Sequence, residues 1–249
     1  MPEYADRVLP DRQTLTMEQP FLEALSRLLV RTCHRRGALA MGGMSAIIPG
    51  KDAAANEAAF AAVRGDKLRE AKLGYDGAWI AHPGLAATVL SVFDEVIGNQ
   101  PNQLEVTRED DPPITAADLL APAEGPHGEA TMRRNIRVTL QYVEAWIRGF
   151  GCVPIYGLME GAATAEISRT SIWQWIRHGQ KLDDGRVSDE GLFEAWPPEQ
   201  MQQVRSEIGA ERYDAGRFGE AAALLHELVL GRPLSSFLTL PAYAMLAPR

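Results

Sequence analysis

The chain has 249 residues, of which 46% are hydrophobic and 23% charged, the balance of an ordinary soluble globular protein. A complete (β/α)8 barrel alone takes about 250 residues, so a barrel sharing this chain with a second domain is expected to be incomplete. The net charge of −8 and a pI near 5.2 argue against nucleic acid or a polybasic membrane attachment, because the phosphates would be repelled.

Two cysteines occur, Cys33 and Cys152. They suffice for neither a disulfide framework nor a zinc ligand set, and they suit a reducing compartment. Residues Met1 to Arg7 show no charged-then-apolar signal-peptide run. No apolar stretch approaches the roughly 20 residues that a membrane-spanning helix needs. The expectation is a soluble, cytoplasmic protein.

Apolar positions at Phe21, Leu22, Leu25, Leu28, Leu29 and Cys33 have the spacing of a helix with one buried face over residues 17–36. Thr16 is the expected N-cap and Gly37 the expected stop. The run from Ala38 to Ile48, ended by Pro49, has no polar face and reads as a buried parallel strand. A helix follows over 56–73, a second short strand over 75–81 and a helix over 85–97. Residues 98–128 are rich in Pro, Asp, Gly and Asn, with a brief helical stretch near 115–120. A strong helix is expected over 129–149 and a third buried strand over 152–158.

This alternation predicts a parallel sheet with right-handed crossovers. After Leu158 the strands are expected to stop. Helices follow over 162–178, 198–208 and 219–230, with a turn at Asp183-Asp184-Gly185 and an apolar tail. Three strands cannot close a barrel, so part of the sheet is expected to lie upstream. The fold class is therefore α/β: an incomplete TIM (β/α)8 barrel, late strands only, in residues 1–158, followed by an all-helical domain in 159–249. An uncovered half-sheet predicts aggregation or oligomerisation in isolation.

Three blocks carry chemistry. They are Arg36-Gly37-Ala38-Leu39-Ala40-Met41-Gly42-Gly43-Met44 with Ile48-Pro49; Gly77-Ala78-Trp79-Ile80-Ala81-His82-Pro83-Gly84; and the run from Gly151 through Met159-Glu160-Gly161 to Arg169, continued by Trp173 to Gly179 and Leu182 to Gly185. In order and spacing these resemble the malate synthase family, in the form whose barrel precedes a helical C-terminal domain. A citrate-lyase-like barrel enzyme fits less well, because the Met-Glu segment and the helical tail point to malate synthases.

The resemblance implies condensation of acetyl-CoA with glyoxylate, then thioester hydrolysis to malate and CoA. It implies a base for the acetyl methyl proton, and a magnesium ion and an arginine to hold glyoxylate and the developing negative charge. The family's base is an aspartate directly after Met-Glu; here that position is Gly161, which has no side chain. Glu160 is not expected to replace it, because adjacent side chains of an extended segment diverge. The family's magnesium carboxylates, its glyoxylate-binding arginine and its Gly-Leu-Asn…Trp-Asp-Tyr stretch find no match in residues 1–249. They would belong to an N-terminal half, which a separate gene could encode.

Asp183-Asp184, Glu109-Asp110-Asp111 and Asp94-Glu95 read as solvated turns and surface, so no metal ligand is assigned. For acetyl-CoA the resemblance implies Trp79, Pro83, Cys152 and Met159, with His82 as a polar contact; without a ligand, such residues are plain core. His34, His127, His178 and His226 suggest no catalytic pair. The alternative to an incomplete enzyme is a non-catalytic remnant, acting as an acyl-CoA-binding or interaction module.

Overall fold

The computed structural model describes residues 5–246. The chain forms two compact units. One is Thr16–Ala121 with a short return at Tyr156–Met159; the other takes the residues through Leu15, Pro122–Ile155, and everything from Glu160 onward. The 158/159 division expected from the sequence falls inside that return.

In the α/β unit, α1 (Pro20–His34) begins at Pro20 with Gln19 as its N-cap, not near Thr16. Proline at the first helical position has its φ preset and no N–H to satisfy. Strand β1 (Met41–Ser45) follows. Helix α2 (Ala53–Leu73) is capped by Asp52, whose carboxylate accepts the Ala54 and Ala55 amides. Strand β2 (Gly77–Ile80) lies parallel to β1, with Met41 opposite Gly77 and Ser45 opposite Ile80. Helix α3 (Ala86–Ile97) packs on α2, and α4 (Ala116–Leu119) on α1. The expected strand–helix–strand–helix order therefore holds through α3. Val30, Ala40, Val63, Ala71, Leu85 and Val92 are among its core residues.

Two polar clusters are buried in this unit. Lys67 Nζ donates to the Gly43 carbonyl at 2.7 Å and to both Glu70 oxygens at 3.0 and 2.9 Å, while the Gly43 amide donates to Glu70 Oε1 at 3.1 Å. A Cβ at Gly42 would lie 2.0 Å from Glu70 Oε2, so only glycine lets β1 pass this close to the carboxylate. Burial pushes the Glu70 carboxyl above its ordinary value, and Lys67 and the Gly43 amide offset only part of that. Elsewhere His34 bridges the Val106 carbonyl, at 2.8 Å, and Asp76, at 2.9 Å.

The other unit is helical. Helix α5 (Glu129–Ile147) is buried along most of its length. Strand β3 (Cys152–Ile155) follows, and β4 (Leu158–Gly161), whose first two residues belong to the return segment of the α/β unit, leads into α6 (Ala162–Arg177). Then come α7 (Glu190–Ile208), α8 (Ala210–Asp214), α9 (Phe218–Leu230) and α10 (Thr239–Leu246). Helix α5 packs against α6, α7 and α9. One core cluster gathers Val138, Tyr142, Val143, Leu224 and Leu228; a second gathers Ile136, Leu140, Trp175, Phe193 and Trp196.

The third strand corrects the sequence expectation. Residues 152–158 are not one strand in a three-stranded parallel sheet: β3 and β4 form a two-stranded sheet apart from β1–β2. Tyr156 and Gly157 have φ of 51° and 76°, the positive values that two-residue hairpin turns require, and the chain reverses there. Nor do strands stop at Leu158, since β4 runs to Gly161. Within the α/β unit the return segment bonds beyond the end of β1. Ile48 N donates to Gly157 O at 2.9 Å, Met159 N donates to Ala46 O at 2.8 Å, and Ile47 and Leu158 form an antiparallel bridge.

Candidate functional site

Strand β4 runs without a loop into α6, and Gly161 is the N-cap at that junction. Its backbone is extended (φ −119°, ψ −176°), a conformation open to any residue. A Cβ there would meet nothing within 4 Å. Neither backbone nor packing demands glycine. Thr164 serves the first turn instead: its hydroxyl accepts from Gly161 N at 3.1 Å and donates to Gly161 O at 2.8 Å. The N-terminal end of a 16-residue helix also favours negative charge, so position 161 is well made for a carboxylate.

Glu160 is 1% exposed. It accepts from Arg12 Nη2 at 3.2 Å, and Arg12 Nη1 donates to the Thr164 carbonyl at 3.2 Å. Arg12 belongs to a strap laid over α6. Gln174 Nε2 donates to Arg7 O at 2.9 Å, Leu9 N donates to Gln174 Oε1 at 2.8 Å, and Trp175 Nε1 donates to Leu9 O at 2.7 Å. Asp11 accepts from the Thr131 hydroxyl and donates its amide to Pro126 O at 2.8 Å. Glu160 is thus a buried, paired carboxylate and not a spare base. This strap is the part of the site that sequence reading missed. Arg12 and Glu160 stand 148 residues apart, and no local pattern links them.

Of the residues assigned to acetyl-CoA, Trp79 is 63% exposed at the end of β2, and Pro83 is exposed at the first position of a single 3-10 turn. Cys152 is an exposed free thiol at the start of β3, and Met159 is half-buried on β4. Trp79, Pro83 and Met159 belong to the α/β unit and Cys152 to the helical one. His82 Nδ1 accepts from the Gly84 amide at 3.0 Å, which caps the turn after β2.

Asp183 and Asp184 are exposed. Asp183 accepts from His127 N at 3.1 Å and Asp184 pairs with Arg186. Asp111 pairs with Arg108, and Glu95 with Arg64. Among the described residues no group of three or more His, Cys, Asp or Glu is placed to hold a metal ion. The His127 ring lies 4.9 Å from that of Trp175, and its desolvation there pushes the imidazole below its ordinary value despite nearby Asp183. No helix among the described residues is long and apolar enough to cross a membrane.

The described residues thus define a mostly helical α/β protein with short strands, whose candidate site lies where a strand feeds a helix N-terminus. Residues 1–122 match the family model "Malate synthase, TIM barrel domain", and residues 127–246 match "Malate synthase, C-terminal". The chain belongs to the malate synthase family. It is 57% identical to malate synthase A of Escherichia coli (strain K12), over 98% of this chain and 46% of that protein. It is 51% identical to malate synthase of Myxococcus xanthus (95% and 43%), and 46% identical to glyoxysomal malate synthase of Zea mays (98% and 44%). The chain therefore spans under half the length of these relatives.

Proposed function

We propose that residues 1–249 form the C-terminal part of a malate synthase: late strands of an incomplete TIM barrel followed by the helical domain. The assembled enzyme would be an acyltransferase of the glyoxylate cycle, working in the cytoplasm on acetyl-CoA and glyoxylate. The observation that supports this reading is Met159-Glu160-Gly161, which runs from β4 into the N-terminus of α6. That is where the family resemblance puts its base.

The reaction asks for removal of an acetyl methyl proton, addition of the resulting enolate to the glyoxylate carbonyl carbon, and hydrolysis of the thioester to release CoA. In this chain the group at position 161 has no side chain to accept the proton. Glu160 is committed to Arg12. Loss of a positioned base costs about 10² to 10⁴ in rate. Residues 1–249 show no match to the family's magnesium carboxylates or to its glyoxylate-binding arginine, and in this reading both would come from a further part of the enzyme, for instance a separately encoded N-terminal half. Exposed Trp79 and Pro83, with Cys152 and Met159, would supply apolar contact for acetyl-CoA.

The test is CoA release from acetyl-CoA, glyoxylate and Mg2+. No turnover is expected from the chain alone or from Gly161→Asp alone, and turnover slowed by about 10² to 10⁴ from the unmodified chain mixed with the remaining part of E. coli malate synthase A, relative to the Gly161→Asp mixture. Turnover is expected when Gly161→Asp is mixed with that part. Turnover by the unmodified chain alone would overturn the reading. The second reading, a non-catalytic acyl-CoA-binding module, is favoured by Gly161; acetyl-CoA binding without turnover in any mixture would establish it.

A further inference from the structure

We propose that Arg12 is the positioning residue of the β4–α6 junction: it neutralises Glu160 so that a carboxylate at position 161 titrates as if its acidic neighbour were absent. The inference rests on the reading of position 161 as the family's base site. It concerns a residue 149 positions earlier in the chain that no motif singles out.

Glu160 is almost fully buried, with its side chain 2% exposed, and Arg12 Nη2 is 3.2 Å from its carboxylate. A buried carboxylate one residue before a second one is a like-charge pair, and such a neighbour raises the second group's pKa. Arg12 removes that penalty and does a second thing with its other nitrogen. Nη1 bonds the Thr164 carbonyl at 3.2 Å, and Thr164 is the residue whose hydroxyl brackets Gly161 at both its N–H and its C=O. One guanidinium therefore fixes the charge before position 161 and the helical turn after it.

Three charged neighbours of the junction are engaged elsewhere. Asp11 on the strap is taken by Thr131 and by the Gln13 amide. Farther along α6, Glu166 and Arg169 pair with each other. The strap itself is anchored at Leu9 by Gln174 and Trp175, so Arg12 is delivered to the junction by backbone held in place and not by a free surface side chain.

The experiment is a 13C NMR titration of the carboxyl introduced by Gly161→Asp, in the full chain, with and without changes at residues 12 and 160. Adding Arg12→Met is expected to raise the pKa of the introduced carboxyl by about one unit. Adding Glu160→Gln to that double variant is expected to reverse the rise. Glu160→Gln without the Arg12 change is expected to shift the pKa in the opposite direction, downward, because Arg12 is then uncompensated; this variant carries the test if Arg12→Met does not fold. Arg12→Lys keeps the charge and is expected to leave the titration within a few tenths of a unit.

A titration indifferent to both Arg12→Met and Glu160→Gln would overturn the proposal, as would a rise that Glu160→Gln fails to reverse. A merely structural role would disturb folding without this sign pattern. The readout needs no turnover, so failure of the assembled enzyme to make malate would count against the proposed function and leave this inference standing.

Discussion

Two buried glutamates, one in each unit, are held in opposite ways. In the helical unit Glu144, 1% exposed, is pushed up by burial. Hydrogen bonds from Arg212 and the Arg217 amide, with the charges of Arg212 and Arg148, outweigh burial and hold the carboxyl below its ordinary value. In the α/β unit burial is again the largest influence on Glu70, but a single lysine and one amide do not overcome it, and its carboxyl is raised. Some large apolar side chains differ between the units as well. Trp173, Trp175 and Trp196 of the helical unit are buried, whereas Leu39, Met41 and Trp79 on and beside β1 and β2 are exposed. The helices packed on α5 bury Trp175 and Trp196 in one core cluster, while the two-stranded sheet leaves Trp79 on its surface; Phe150, Leu240 and Tyr243 of the helical unit are exposed as well.

The largest expected effect lies in the closed core. Trp175 is 1% exposed, belongs to the second core cluster, and donates its indole N–H to Leu9 O at 2.7 Å. Trp175→Ala is expected to destabilise the chain by about 3–5 kcal/mol through the cavity it leaves, with the strap's anchor lost as well. Urea unfolding monitored by far-ultraviolet circular dichroism measures it. A loss under about 1 kcal/mol would show that the helical core is looser than its burial implies.

Next comes Glu144. Its folded-state pKa lies below the ordinary value of 4.5, so its contribution is fully present above the unfolded pKa and is lost as pH falls through the folded one. Glu70, with a folded pKa above 4.5, has the reverse sign: its contribution is complete below the unfolded pKa and is lost as pH rises through the folded one. Amide protection in α5 should therefore weaken as pH drops below about 4.5. Glu144→Gln should cost about 1–3 kcal/mol at neutral pH and remove most of that acid slope. Hydrogen exchange read separately for α5 and α2 tests the contrast, and an unchanged slope in the variant would sink it.

How far the sequence could be read follows the same division. Helical periodicity located α1 but not its buried face: Ser26, Val30 and His34 are buried, whereas Leu25 and Leu29 of the expected face are exposed. Glycine-punctuated apolar runs marked β1 and β2, because these signals lie within a few residues. The 152–158 run misled because Cys-Val-Pro-Ile-Tyr-Gly-Leu is apolar enough for one strand, while the reversal rests on positive φ at Tyr156 and Gly157. Tyrosine gives no sign of that geometry. Helix α7 was expected only from Pro198, yet it starts at Glu190 behind an Asp189 cap and carries Pro197 and Pro198 inside it. Buried Phe193 and Trp196 anchor its first turns. At the site, Gly161 was legible from the motif, whereas Arg12 was not, since its role exists only after the strap crosses α6.

The smallest stability effect is expected at Trp79, and it separates the two units most directly. At 63% exposure on β2, its removal leaves no cavity to fill. Trp79→Ala should therefore change unfolding free energy by no more than about 0.5 kcal/mol, the range for surface positions, against the much larger loss at Trp175. If the exposed indole contacts acetyl-CoA, as proposed, the same substitution should weaken acetyl-CoA binding several-fold by isothermal titration calorimetry. That pairing, stability kept and binding lost, is what distinguishes a ligand surface from a core position. A substitution that lowered stability by several kcal/mol would instead show that Trp79 is covered in solution, and a substitution that left both unchanged would remove Trp79 from the proposed acetyl-CoA contacts.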